Sequence, residues 1–84
     1  MSRQNIIVTG GSRGIGSAIV EELLKSGHNV GYCGRNALDT QIEKVQSLQT
    51  SYPGSLLRYY QCDISDAGDR EKLLDAFEKD FGTL

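Results

Sequence analysis

The sequence predicts an α/β fold built on a parallel sheet, and three observations lead there. A short, continuous apolar run, Ile6-Ile7-Val8, passes directly into a glycine-rich turn, Thr9 to Gly16. That turn opens a segment with helical apolar spacing. Strand-like and helix-like segments then alternate to the last residue, and alternation at this length implies parallel pairing through right-handed crossovers.

The elements follow in order. Asn5 to Thr9 forms the first strand, since a continuous apolar run suits a strand buried on both faces. From Ile15 to Ser26 the residues Ile15, Ala18, Ile19, Leu23 and Leu24 recur at helical spacing on one face. Gly27 stands where a helix-terminating glycine belongs. Asn29 to Cys33 forms a second strand, weakened by Gly31, and Gly34-Arg35-Asn36 forms a turn. Leu38, Ile42, Val45 and Leu48 mark a second amphipathic helix that ends near Ser51, and Tyr52-Pro53-Gly54 breaks the chain. Leu56 to Cys62 is the third strand, with Leu57, Tyr59 and Tyr60 packing. Ser65 or Asp66 caps a third helix, on which Leu73, Leu74, Phe77 and Phe81 share a face and after which Gly82 acts as the stop.

This βαβαβα order is the first portion of a Rossmann-like, doubly wound parallel sheet. Residues 1–84 are accordingly expected to form the N-terminal part of a dinucleotide-binding domain whose later strands and catalytic half are absent. In the common strand order the first strand is central. Ile6-Ile7-Val8 would then line an open apolar edge, and such an edge invites self-association or pairing with a complementing chain.

Bulk properties narrow the function classes. The 84 residues are 38% hydrophobic and 24% charged with a net charge of −2, so no basic field points to nucleic acid. No apolar run approaches the roughly 20 residues that span a membrane. The N-terminus lacks the basic start and long apolar stretch of a secretory signal, which makes a cytoplasmic setting the expectation. Cys33 and Cys62 form neither a C-x-x-C pair nor a metal-ligand spacing; they read as small buried hydrophobes with free thiols, a cross-strand disulfide being the alternative. His28 lies in the turn before the second strand, away from the strand C-termini where ligands of such sheets bind. Asp66, Asp69, Glu71, Asp75, Glu78 and Asp80 read as a solvated helix face.

The glycine turn carries the chemistry. A strand must turn sharply into a helix while its backbone approaches a diphosphate. Gly10 permits the backbone angles, Gly14 leaves room for the ligand, and Gly16 lets helix and strand pack closely. The helix N-terminus then offers free N–H groups and a positive dipole end to phosphate. A P-loop is excluded: Gly11 and Gly16 have its glycine spacing, but Ser17 stands where its lysine should be.

Thr9-Gly10-Gly11-Ser12-Arg13-Gly14-Ile15-Gly16 resembles, residue for residue, the T-G-x-x-x-G-I-G signature of short-chain dehydrogenases/reductases. Cys62-Asp63-Ile64-Ser65 resembles that family's segment after the third strand, where an Asp followed by an apolar residue contacts adenine. The likeness runs the length of the chain, including Phe81-Gly82-Thr83-Leu84. It implies hydride transfer between a nicotinamide and a carbonyl or alcohol. It also implies cofactor contacts from Gly10, Ser12, Arg13, Gly14, Ile15, Gly16, Asp63 and Ile64. For Asp63 a helix-entry turn is the other reading, and turn chemistry alone equally explains Ser12 and Asn36. The family's Y-x-x-x-K pair is missing: the residues four after Tyr32, Tyr52, Tyr59 and Tyr60 are Asn36, Leu56, Asp63 and Ile64. No catalytic residue is therefore assigned. Beside a reductase fragment stands a second reading, a truncated, non-catalytic nucleotide-binding or regulatory module, and a third, a shortened chain with no independent role.

Charge indicates which nicotinamide. An NAD site usually ends its second strand with an acid for the ribose 2′-hydroxyl, about 20 residues after the turn. Gly34 occupies that position here, and Arg35 follows. Arg35, joined by Arg13 from the glycine turn, suits a 2′-phosphate. With Asn36 as a further donor, the expected cofactor is NADP(H).

Overall fold

The computed structural model describes residues 3–10 and 14–82. Three strands, β1 (Asn5–Thr9), β2 (Asn29–Gly34) and β3 (Leu57–Gln61), alternate with helices α1 (Gly14–Lys25), α2 (Ile42–Ser51) and α3 (Ala67–Phe81). A single 3₁₀ turn, Leu38–Thr40, precedes α2. The sheet order is β1-β2-β3 and both pairings are parallel. This is the βαβαβα arrangement expected, with β2 in the middle and one side of β1 unpaired among the described residues.

Side-chain alternation along the strands sorts the helices into two layers. Val8, Val30, Tyr32, Leu57 and Tyr59 point to one face, where Val20, Leu23 and Leu24 of α1 and Val45 and Leu48 of α2 cover them. Gly31, Cys33 and Tyr60 point to the other, where Leu73 and Phe77 of α3 pack. Gly31 belongs to this packing. A Cβ on it would lie 2.8 Å from two ring atoms of Phe77, so the sheet backbone itself is the surface on which that ring rests.

At the strand entries, side-chain amides tie the layers together. Asn5 donates to the carbonyl of Phe81 at the end of α3 (3.1 Å), and Asn29 donates to Asn5 Oδ1 (3.0 Å). Asn29 Oδ1 accepts from the Leu56 N–H (2.8 Å), and Gln49 Oε1 of α2 accepts from the Leu57 N–H (2.8 Å). His28 sits at this end too, its Nδ1 accepting from the Gln4 N–H at 3.1 Å, as its place in the sequence led us to expect.

Several boundaries and faces differ from the sequence expectation. In α1 the buried residues are Val20 and Leu24, whereas Ile15, Ala18 and Ile19 are exposed. Ile19 lies about 100° round the helix from Val20, and the apolar arc is wider than one sheet face can cover. The second helix is broken at Gln41, whose side chain turns inward to accept from Tyr32 Oη (3.0 Å); Leu38 and Ile42 stay exposed. On α3, Leu73 and Phe77 are buried and Phe81 stacks on Phe77 (centroids 4.2 Å apart), but Leu74 is half exposed. Asp66, not Ser65, is the cap, accepting from the Asp69 N–H at 3.0 Å. Gly82 closes α3 with a φ of 93°, a conformation that favours glycine.

Candidate functional site

The C-terminal ends of parallel strands are where loops diverge, and a cleft lies there among the described residues. It has a volume of about 470 Å³, within the ~300–1,000 Å³ typical of small-molecule sites. Three chain segments line it: Gly10 after β1; Cys33, Gly34, Arg35 and Asn36 from the end of β2; and Cys62, Asp63, Ile64 and Ser65 after β3. Of the residues singled out in the sequence, Gly10, Arg35, Asn36, Asp63 and Ile64 thus converge on one cleft. Gly14, Ile15 and Gly16 are not in its lining but form the first turn of α1. Ser12 and Arg13 lie outside the described residues.

Gly10 adopts a φ of 70° and Gly14 a φ of 51° on either side of the turn, the conformation that glycine tolerates and a Cβ penalises. The Gly10 N–H donates to the Cys33 carbonyl at 3.0 Å, which binds the exit of β1 to the exit of β2. Gly34 ends β2 without a carboxylate, and Arg35, exposed, follows it as the cation of the described lining.

Asp63 is oriented rather than loose. Its Oδ1 accepts from both Ser65 Oγ (2.6 Å) and the Ser65 N–H (3.0 Å), while its own N–H donates to Asp69 (2.9 Å). These Ser65 bonds, with a smaller pull from the Arg35 charge, hold its carboxyl below the ordinary aspartate value. The helix-entry reading and the cleft reading of Asp63 are therefore compatible: the same turn that leads into α3 presents the carboxylate at the rim. Ser65→Ala is expected to move the Asp63 pKa back up towards the ordinary range, measured by NMR titration of the side-chain carboxyl. An unmoved titration would show that Ser65 is not its main stabiliser. Ile64 beside it exposes an apolar surface to the cleft.

Cys33 and Cys62 are buried free thiols, as expected from the sequence, yet both also line the cleft. Burial, foremost, pushes both thiols up, so they remain neutral and act as small side chains at its floor. Nothing in their spacing signalled this place; it follows from their position at adjacent strand exits. Tyr59, read from the sequence as a packing residue, is buried as expected, but its hydroxyl also reaches the loop that carries Arg35.

Comparison with known proteins adds to this geometry. Residues 4–84 match the sequence profile of the short chain dehydrogenase family. A tropinone reductase homolog of Arabidopsis thaliana is 41% identical over 70 residues, covering 82% of this chain and 25% of that protein. Among solved structures, an NADPH-bound short chain oxidoreductase of Pseudomonas aeruginosa PAO1 with an atypical catalytic center is 36% identical. It superposes with a TM-score of 0.85 over 93% of this chain and 30% of its own. An NADH-dependent reductase, A1-R′, complexed with NAD, is 25% identical with a TM-score of 0.78, covering 96% of this chain and 32% of that one. The chain spans about a quarter of the length of the curated relatives it matches.

Proposed function

Because the chain belongs to the short-chain dehydrogenase family, we propose that its cleft holds the adenosine end of NADP(H), as part of an oxidoreductase that moves hydride between the nicotinamide and a carbonyl or alcohol. The observation that carries the choice of nucleotide is the end of β2: Gly34 offers no acid to repel a 2′-phosphate, and Arg35 beside it lines the cleft. Gly10 leaves the backbone open to the diphosphate, since no atom of the described residues lies within 4 Å of where its Cβ would stand. Ile64 offers an apolar contact to the adenine, and the oriented Asp63 carboxylate an acceptor for its amino group. Arg13 and Ser12, from the glycine turn, complete the phosphate contacts in this reading, and Asn36 adds a donor beside the ribose.

Residues 1–84 form, in the same reading, the first part of a larger dinucleotide-binding domain. The unpaired side of β1 and the exposed Ile15 and Ile19 support it, because both are apolar surfaces that further strands and helices would cover.

Direct binding tests the cofactor assignment. The chain contains no tryptophan, so nucleotide fluorescence is read without an indole background. NADPH is expected to bind at least about tenfold more tightly than NADH, the size of one charge-assisted contact. Equal affinities would overturn the NADP(H) assignment.

A further inference from the structure

Arg35 rides on a loop without regular structure until the turn at Leu38, yet the loop is held from beneath at both ends. Tyr59 of β3 is buried, and its single O–H proton is shared in a three-centre bond between the carbonyls of Asn36 (2.6 Å, the shorter) and Gly34 (3.0 Å), the residues on either side of Arg35. Its ring leans on Tyr32 of β2, centroids 4.8 Å apart, and Tyr32 Oη donates in turn to Gln41 Oε1 at the far end of the loop. Tyr59 does not line the cleft. Its hydroxyl is committed to the loop and is not presented to a ligand.

We propose that Tyr59 is a positioning residue for 2′-phosphate selection: by bridging the Gly34 and Asn36 carbonyls, its hydroxyl fixes the backbone of Arg35 so that the guanidinium meets the phosphate already aimed. The proposal rests on the NADP(H) reading above. An exposed arginine on a free loop would lose backbone and rotamer freedom on binding, and that cost is subtracted from affinity. With the neighbouring carbonyls held by that shared bond, chiefly at Asn36, part of the backbone cost is met on folding. Burial pushes the Tyr59 hydroxyl up, so it stays protonated and able to donate across the working pH range. The effect is selective by construction, because NADH has no group for Arg35 to hold.

The test is a double-mutant cycle on the whole chain, with dissociation constants for NADPH and NADH measured on the wild type, Tyr59→Phe, Arg35→Ala and the double variant. Tyr59→Phe keeps the ring on Tyr32 and removes only the donor. It is expected to weaken NADPH about five- to tenfold, to leave NADH unchanged, and to have no further effect once Arg35 is alanine. Tyr59→4-fluorophenylalanine fills the space of the hydroxyl without a donor and is expected to give the same loss; it serves as well if the phenylalanine variant does not fold. An equal loss for both nucleotides, or a loss that persists on the Arg35→Ala background, would mean a merely structural role and overturn the proposal. So would an unchanged ratio. A wild-type chain with no preference for NADPH removes the underlying cofactor reading, and the proposal with it, whereas a wild-type preference that survives in Tyr59→Phe sinks the positioning role alone.

Discussion

Gly34→Asp combined with Arg35→Ala is expected to invert the nucleotide preference of the chain, from NADPH to NADH. Two effects act in the same direction. Removing Arg35 deletes a charge-assisted contact worth about 1.5–3 kcal/mol, with the lower end appropriate because the side chain is exposed. Adding a carboxylate at the end of β2 places a negative charge where the 2′-phosphate would sit and gives the ribose hydroxyls of NADH an acceptor. Together they should swing the ratio of the two dissociation constants by about two orders of magnitude, at roughly 1.4 kcal/mol per decade. Fluorescence titration of both nucleotides measures this. Unchanged relative affinity would refute the assignment of the 2′-phosphate to this strand end.

The second large effect concerns the fold. Gly31→Val is expected to destabilise the chain by about 1–3 kcal/mol, the usual cost of overpacking a filled core. The first added carbon alone would lie 2.8 Å from the Phe77 ring and 3.1 Å from Tyr60. Phe77 has no easy retreat: it is 1% exposed, stacked on Phe81 and tilted against Tyr60. The better strand propensity of valine, at most about 1 kcal/mol, does not offset this. Urea unfolding with an unchanged slope measures the loss, and the melting temperature should fall by about 4–8 °C per kcal/mol for a domain of this size. Undiminished stability would mean that α3 does not rest on the β2 backbone.

Gly31 also illustrates what sequence reading can and cannot reach. Within β2 it looked like a weakness, because local propensity carries no information about a ring arriving from residue 77. The structure turns it into a contact requirement. The apolar arc of α1 failed in the opposite way. Ile15 and Ile19 have helical spacing and suggested burial, but periodicity reports which side of a helix is apolar, not whether the chain supplies a surface to cover all of it. The order of strands and helices, by contrast, was legible, since short apolar runs and helical spacing alternate, separated by glycine or proline at most junctions and by the Asp63 to Asp66 turn before α3. At the candidate site, the shared place of Arg35, Asn36, Asp63 and Ile64 in the cleft lining was legible because they fall just after strands, and parallel strands deliver such residues to one rim. Cys33 and Cys62 were not, because a buried side chain at a strand end looks like any other core residue, and Ser65 was read only as a motif neighbour and a candidate helix cap. The hydroxyl of Tyr59 was hidden for a related reason: its acceptors are backbone carbonyls, which every sequence has.

The amide ties at the strand entries give the molecule unequal ends. Asn5, Asn29 and Gln49 clamp strands, α2 and α3 to one another at the edge farthest from the cleft. At the cleft end, among the described residues, the strands are joined by backbone bonds, the Gly10 N–H to Cys33 and the Cys62 N–H to Gly34, and the Tyr59 hydroxyl sits under the Arg35 loop. The side chains that hold the layers together are thus kept out of the cleft lining, so substitutions that reshape the rim leave those ties in place.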